Sequence, residues 1–369
     1  MLQLAIIGLG AVTRNIHLPA YRRLSDRLRV IAGCDVDPIS RAWARSVVPI
    51  VYENAEAMLE AEKPDLVAVC TPPALHREHC LLALDHGCHV FCEKPLAESV
   101  TDAVEIIRAS ERAGRRVVVN TQFAYMRMYE AARAKIDSPD FGRLLFMHAW
   151  QTFRRTEDTE AGWRSRTERR VCLEFGVHVF DLARFFFGEN PTSVMAHMPR
   201  PLPGERADVV NTIALEYPGG RGAAIVLNRL SQGPHRYLDL SLDGESGSIH
   251  TSIGGELRLE AGIRTPGRRP YVSFHFAKGG KAILHRGDRK TLLAREEHNP
   301  FAAATARHLG QYIDALRADV RPSRDVRDHF HTLALAEAAY ESAASGRSID
   351  LREYVRQFEL PAGTWKAVE

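Results

Sequence analysis

The chain has 369 residues, of which 45% are hydrophobic and 26% charged. That length is too great for one ordinary core and suits two domains, and the balance is that of a globular protein. Lysine and arginine number 49 against 46 acidic residues, with the signs interspersed, so there is no electrostatic case for nucleic acid or an anionic membrane. No apolar run is long enough to span a bilayer. The first strand begins almost at Met1, so no targeting segment is expected before the fold. Cys34, Cys70, Cys80, Cys88, Cys92 and Cys172 form no Cys-x-x-Cys pair. They read as reduced packing residues of a cytoplasmic protein, and no metal site is expected.

Leu2 to Ile7 reads as a strand, and Gly8-Leu9-Gly10-Ala11-Val12-Thr13 follows at once. A helical pattern then runs through Ile16, Leu18 and Leu24. Strand, glycine turn and helix together form the context of a dinucleotide site. Gly8 permits the turn. Gly10 lets a pyrophosphate approach the helix N-terminus, where free N–H groups favour anions. Thr13 stands where the fingerprint has its third glycine, and a larger residue there should push helix and strand apart. The next strand, Leu28 to Cys34, ends in Asp35. An acid at that point accepts the ribose hydroxyls of NAD and repels a 2′-phosphate. The competing role, capping the next helix, suits Asp37 better, because it immediately precedes Pro38.

The alternation continues with a helix at Asn54 to Ala61, a strand at Leu66 to Cys70 and a helix at Leu75 to His86. Val90 to Cys92 is a short buried strand, and Glu93-Lys94-Pro95 ends it. The proline stops the ladder, and in a parallel sheet this strand end faces the ligand. A surface Glu-Lys pair is the plainer alternative. Thr101 to Ala113 reads as a helix and Val117 to Val119 as a strand, so the first domain, residues 1–121, carries a parallel sheet covered on both faces.

The pattern changes in the remainder, residues 122–369. Met126 to Ile136 looks helical and Leu144 to Trp150 extended. The polar stretch Thr152 to Arg170 is either a solvated loop or a substrate-side one. Glu174 and His178 are four apart, hence on one helix face, with Asp181 three further on. A carboxylate beside an imidazole suits a general base, although structural hydrogen bonds explain the same spacing. From Ser193 to about Phe276, runs such as Val209–Tyr217, Gly222–Leu230 and Tyr237–Leu242 read as antiparallel hairpins. Asn299 to Leu316 and Asp325 to Ser345 are amphipathic helices.

Taken in order, several motifs make the chain resemble the glucose–fructose oxidoreductase/inositol dehydrogenase family. They are Gly8-Leu9-Gly10, His17-Leu18-Pro19-Ala20, Thr71-Pro72 with His76, and Glu93-Lys94-Pro95. Trp163-Arg164, Gly176-Val177-His178 with Asp181, and Glu337-Ala338-Ala339-Tyr340-Glu341-Ser342 complete the set. The resemblance implies a doubly wound Rossmann domain followed by an α+β domain with an open, mostly antiparallel sheet. It also implies a nicotinamide cofactor and a sugar, polyol or related hydroxy or keto substrate. The sheet would serve a homodimer or homotetramer. NAD, rather than NADP, would lie along Gly8, Gly10, Ala11, Val12, Asp35, Thr71, Pro72, His76, Glu93 and Lys94. Lys94 would touch the reacting hydroxyl, with a cis bond before Pro95, and Glu174 would orient His178 as the base. Arg127, Trp163, Arg164 and Asp181 fall at positions near the substrate.

Two departures stand out. Glu174 replaces the family's usual aspartate, and Arg169-Arg170-Val171-Cys172 replaces a glycine-rich approach, which would reshape the pocket or favour an acidic substrate. An NAD-dependent glycosidase of the same family and a non-catalytic NAD sensor are the alternatives to a dehydrogenase.

Overall fold

The computed structural model describes residues 1–155, 162–233, 236–262, 271–358 and 360, with 255–262 and 271–278 described for the backbone alone. The middle of the polar stretch, 156–161, and part of the expected hairpin region therefore lie outside the described residues.

Six strands build the first sheet: β1 (Leu2–Ile7), β2 (Leu28–Cys34), β3 (Ile50–Tyr52), β4 (Leu66–Val69), β5 (His89–Cys92) and β6 (Val117–Val119). Their order is β3-β2-β1-β4-β5-β6 and every pairing is parallel, the arrangement of a doubly wound dinucleotide fold. The apolar runs are long enough to be buried on both faces, as crossover helices require. Those helices are α1 (Leu18–Arg22), α2 (Pro38–Ala44), α3 (Ala55–Glu62), α4 (His76–Asp85) and α5 (Val100–Ala113). Asp37 caps α2 by accepting from the Ile39 and Ser40 N–H groups, as its place before Pro38 indicates. Strand β3 was not expected. It is a short edge strand with an exposed first residue, so it carries little apolar pattern.

After α6 (Arg127–Ile136) comes β7 (Leu144–Thr152), and α7 (Val177–Phe187) leads into β8 (Ser193–His197), β9 (Val210–Tyr217) and β10 (Arg221–Asn228). Next are β11 (Arg236–Gly244), β12 (Gly247–Gly262), β13 (Tyr271–Arg286) and β14 (Arg289–Arg295), then α8 (Pro300–Arg317), α9 (Val326–Ser345), β15 (Ile349–Asp350) and α10 (Leu351–Arg356). Among the described residues, these strands form one sheet in the order β14-β13-β12-β11-β7-β10-β9-β8-β15. It is antiparallel throughout except where β7 runs parallel to β10. Along β7, Met147 and Ala149 are buried while Phe146 and Trp150 are exposed, so one face of this sheet is packed and the other open.

The two sheets share their packing. Ala306, Leu309, Tyr312 and Ile313 of α8 join Leu4, Ile6, Phe91 and Val118 in one buried cluster. One face of the parallel sheet is thus sealed by a helix from the far end of the chain. Helix α9 is docked at its start by a bridge between Val118 and Asp325, which brings its first turns to the carboxyl ends of β5 and β6.

Candidate active site

A cavity of about 880 Å³ runs across the carboxyl ends of the parallel strands, within the range of small-molecule and cofactor sites. At one end it is lined by Gly8, Gly10, Ala11, Val12 and Asp35, and near its middle by Thr71 and Pro72. Glu93, Lys94, Trp163, Arg164, Glu174 and His178 line the other end. Gly8 has φ of +96°, and a Cβ there would lie 2.8 Å from the Cys70 carbonyl carbon, so glycine is required on both counts. A Cβ on Gly10 would meet nothing within 4 Å. The space above Gly10 is a cradle that any side chain would begin to fill.

Thr13 does not wedge the turn open. It is fully buried and donates its hydroxyl hydrogen to the Gly8 carbonyl at 2.7 Å. The backbone absorbs it with a π-helical turn over Thr13–His17, a wider coil common at functional sites. Asp35 is not a helix cap. Its two oxygens accept from the Leu9 N–H at 2.7 Å and the Asp37 N–H at 2.8 Å. These bonds aim the carboxylate across the glycine turn while leaving lone pairs for further donors.

Beneath the cavity lies a buried ion pair that sequence patterns did not reveal. His17 Nε2 meets Glu93 Oε1 at 2.7 Å, and its Nδ1 meets the Tyr21 hydroxyl at 2.8 Å. The Asn120 amide donates to the same Glu93 oxygen at 2.7 Å. Burial alone would lower the His17 pKa, but neighbouring Cys70 and Glu93 outweigh it and push it up to about 10. Burial likewise works against the Glu93 carboxylate, which His17, Lys94 and Asn120 hold down at about 2. His17 belongs to a quoted motif, yet nothing in the spacing links residue 17 to residue 93.

Lys94 and Pro95 are joined by a cis peptide bond. Lys94 Nζ donates to the Glu174 carbonyl at 2.9 Å. Burial lowers the lysine pKa from its ordinary 10.5, against the opposing pull of Glu174 and Glu93. His178 lines the cavity, is 4% exposed, and stacks on Phe123 with centroids 4.1 Å apart and planes 6° apart. Phe175 meets the imidazole edge-on at 5.8 Å. Burial, Lys94 and His329 together push its pKa well below 6.5. A neutral imidazole beside a cationic amine can take a hydroxyl proton while the amine stabilises the oxygen left behind.

The expected Glu174–His178 bond is absent from the described geometry. Glu174 Oε1 instead receives Arg164 Nε at 2.7 Å and Arg164 Nη2 at 2.6 Å. Glu174 Oε2 and His178 Nδ1 have no hydrogen-bond partner among the described residues. A π-helical turn over Cys172–Gly176 precedes α7, so the four-residue spacing spans two coils of different width and does not stack the two side chains as a regular helix would. Aromatic faces, rather than a carboxylate, fix the His178 ring.

Three further expectations need correction. His76 does not line the cavity. It is fully buried, with its ring nitrogens 2.7 Å from the Pro95 and Thr71 carbonyl oxygens. Arg127 is more than half exposed and pairs with Glu297 at 3.4 Å. Asp181 is buried against Arg324 behind the site. The Arg169-Arg170 approach also does not line this cavity: Arg169 pairs with Glu337 at 3.1 Å, and Arg170 is 4% exposed. Gln122, Tyr237 and His79 line the cavity without having been singled out by sequence. Among the described residues, no group of three or more His, Cys, Asp or Glu is placed to hold a metal. No described helix is long and apolar enough to cross a membrane.

Comparison with known proteins agrees with this geometry. Residues 2–121 match the family described as an oxidoreductase family with an NAD-binding Rossmann fold, and residues 129–250 match the GFO/IDH/MocA C-terminal domain. D-apiose dehydrogenase of Paraburkholderia graminis is 29% identical, covering 98% of this chain and 92% of that protein. An inositol 2-dehydrogenase of Pseudomonas fluorescens is 25% identical, covering 95% and 96%. The crystal structure of an oxidoreductase from Agrobacterium radiobacter, in complex with NAD+, L-tartaric acid and magnesium, superposes with a TM-score of 0.78 at 23% identity, covering 95% and 99% of the two chains. With matches to both halves and a cavity where the nucleotide fold meets the second sheet, the chain belongs to the GFO/IDH/MocA family of NAD-binding oxidoreductases.

Proposed function

We propose that this chain is an NAD-linked dehydrogenase that interconverts a hydroxyl and a carbonyl on a sugar or polyol. The reading is carried by one observation: a single cavity joins the glycine turn and Asp35 to Lys94 and His178. Gly8, Gly10 and Asp35 would hold the pyrophosphate and ribose, and Thr71 and Pro72 would flank the nicotinamide side. The cofactor, when bound, accepts or returns the hydride. His178 removes the hydroxyl proton from the substrate at its cavity-facing nitrogen, and Lys94 stabilises the oxygen as negative charge develops there. Glu174 acts through Arg164 and through its carbonyl, which holds Lys94, rather than by orienting His178. The apiose and inositol dehydrogenases among its relatives act, by name, on a sugar and a polyol, which directs the substrate screen.

Preference for NAD rests on Asp35, with Glu53 and Glu56 lining the same end of the cavity. Three carboxylates there oppose a 2′-phosphate. The open face of the second sheet, with Phe146, Trp150 and Met195 each more than 40% exposed, supports a homodimer or homotetramer built on that face. The parallel-sheet region 1–121 would serve the cofactor, and 122–369 the substrate and assembly.

The test is a titration with NADH and NADPH by nucleotide fluorescence, with wild type beside Asp35→Ser, followed by a sugar and polyol screen with NAD. NADH binding that is lost or switched toward NADPH in the variant, with NAD reduction by a panel member, supports the reading. NADPH binding alone refutes the Asp35 argument. Saturable NADH binding with no hydride transfer favours a sensor, and sugar release from a glycoside without net NADH favours a glycosidase.

A further inference from the structure

The segment Glu93 to Leu96 is held from several sides. Glu93 is fixed from below by His17 and Asn120. Pro95 presents its carbonyl to His76 Nδ1 at 2.7 Å. Leu96, fully buried, donates its N–H to His329 Nε2 at 3.3 Å across a separation of 233 residues. His76 stands at the start of α4 and His329 in the first turns of α9. The cis-linked Lys94 and Pro95 are therefore clamped between two helices from opposite ends of the chain.

His329 is 3% exposed, and its Nδ1 has no hydrogen-bond partner among the described residues. A buried ring that makes one bond, to a backbone N–H beside a cavity lysine, stabilises that backbone conformation specifically. Because Nε2 accepts, the ring proton must sit on Nδ1. The charged groups facing the ring are Asp328 and Arg184, with Arg324 and Lys94; burial dominates, so the ring is neutral, with its pKa down at about 3. The groups facing His178 are Lys94 and His329 itself.

We propose that His329 is a positioning residue for Lys94: by accepting the Leu96 N–H it fixes the Lys94–Pro95–Leu96 backbone and so places the amine between Glu174 and His178. The proposal rests on the dehydrogenase reading for its kinetic consequences, but its geometric consequence is independent of turnover. Without the acceptor, Leu96 has an orphaned buried N–H, the segment shifts, and the amine leaves the Glu174 carbonyl. A displacement near 1 Å at a reacting group costs about 10²-fold in rate.

The experiment compares His329→Leu, which removes the acceptor, with His329→Gln, whose Oε1 reaches the place of Nε2. The first measurement is competitive acetylation of Lys94 by acetic anhydride across pH, read by mass spectrometry of the Lys94 peptide. The amine reacts when deprotonated, and burial now lowers its pKa. In His329→Leu the Lys94 labelling midpoint should move to higher pH, toward the ordinary 10.5, and in His329→Gln it should stay near wild type. Kinetically, kcat should fall about 10- to 100-fold in the leucine variant with the KM for NAD within about twofold. The acid limb of its kcat/KM profile should shift to higher pH, because His178 loses the nearby cation that depresses it. An unmoved midpoint in His329→Leu, or equal behaviour of the two variants, overturns the proposal. Absence of turnover in the wild type counts against the dehydrogenase reading, whereas a moved midpoint still supports the positioning role.

Discussion

The two ends of the cavity are built by different means. At the Gly8–Asp35 end the protein works with backbone: a positive φ, an open Cα face and a carboxylate tied to two N–H groups within residues 8–37. At the Lys94–His178 end it works with side chains drawn from the segment just after β5, the 3₁₀ turn Gly162–Arg166, the π-helical turn before α7, α7 itself and the strand bearing Tyr237. The first end is a local structure that one strand–turn–helix unit nearly completes. The second exists only when both sheets are assembled. On the proposed reading, recognition of the cofactor is local, while the chemistry depends on assembly of the whole fold.

The sharpest way to separate the two ends is His178→Ala. Turnover should fall about 10²- to 10⁴-fold, the usual worth of general acid–base assistance, while NADH affinity stays unchanged by fluorescence titration. A near-normal rate would remove His178 from the chemistry. Next in size is His17→Ala, which leaves the Glu93 carboxylate buried without its cation. Losing one partner of such a pair costs about 3–5 kcal/mol, readable by denaturant unfolding. This variant strikes beneath both ends at once, so it should lower stability and turnover together.

The glycines break the comparison from the other side. Gly8→Ala should destabilise the fold by about 1–3 kcal/mol, because its backbone conformation is strained for any other residue and its Cβ would meet the Cys70 backbone. Gly10→Ala should leave thermal stability unchanged, since its Cβ has open space, yet weaken NADH binding. Equal melting temperatures for the two variants would refute this division.

The His17–Glu93 pair also imposes a pH dependence of stability. Glu93 has its pKa depressed from 4.5 to about 2, so its contribution is present above pH 4.5 and is lost as pH falls through the lower value. His17 has its pKa raised from 6.5 to about 10, so its contribution is full below pH 6.5 and is lost as pH rises through the higher value. Melting temperature should therefore decline on both sides of a window between about pH 4.5 and 6.5, and His17→Ala should flatten both slopes.

Much of the fold was legible because it is written in short-range patterns. The glycine turn, the Asp37 cap and the apolar strands β1, β2, β4 and β6 each depend on residues close together in sequence. Thr13 fits the turn because its hydroxyl returns to the Gly8 carbonyl and the helical turn widens, adjustments that side-chain size alone does not indicate. The Glu174–His178 pairing failed for a related reason: the i, i+4 rule holds for a regular α-helix, and the chain passes through a π-turn at that point.

By itself, the sequence determined an alternating parallel fold, a strand–glycine turn–helix unit with Asp35 at the end of the next strand, and a lysine at a strand end beside a proline. These follow from steric and hydrogen-bonding rules that act over a few residues. Only the tertiary structure decided that Arg164 takes the Glu174 carboxylate, that Phe123 holds His178, that His17 pairs with Glu93, and that α8 seals the first sheet. Such contacts join residues from different elements, and no periodicity encodes them. They are fixed by which surfaces must be buried together and which buried polar groups must find partners.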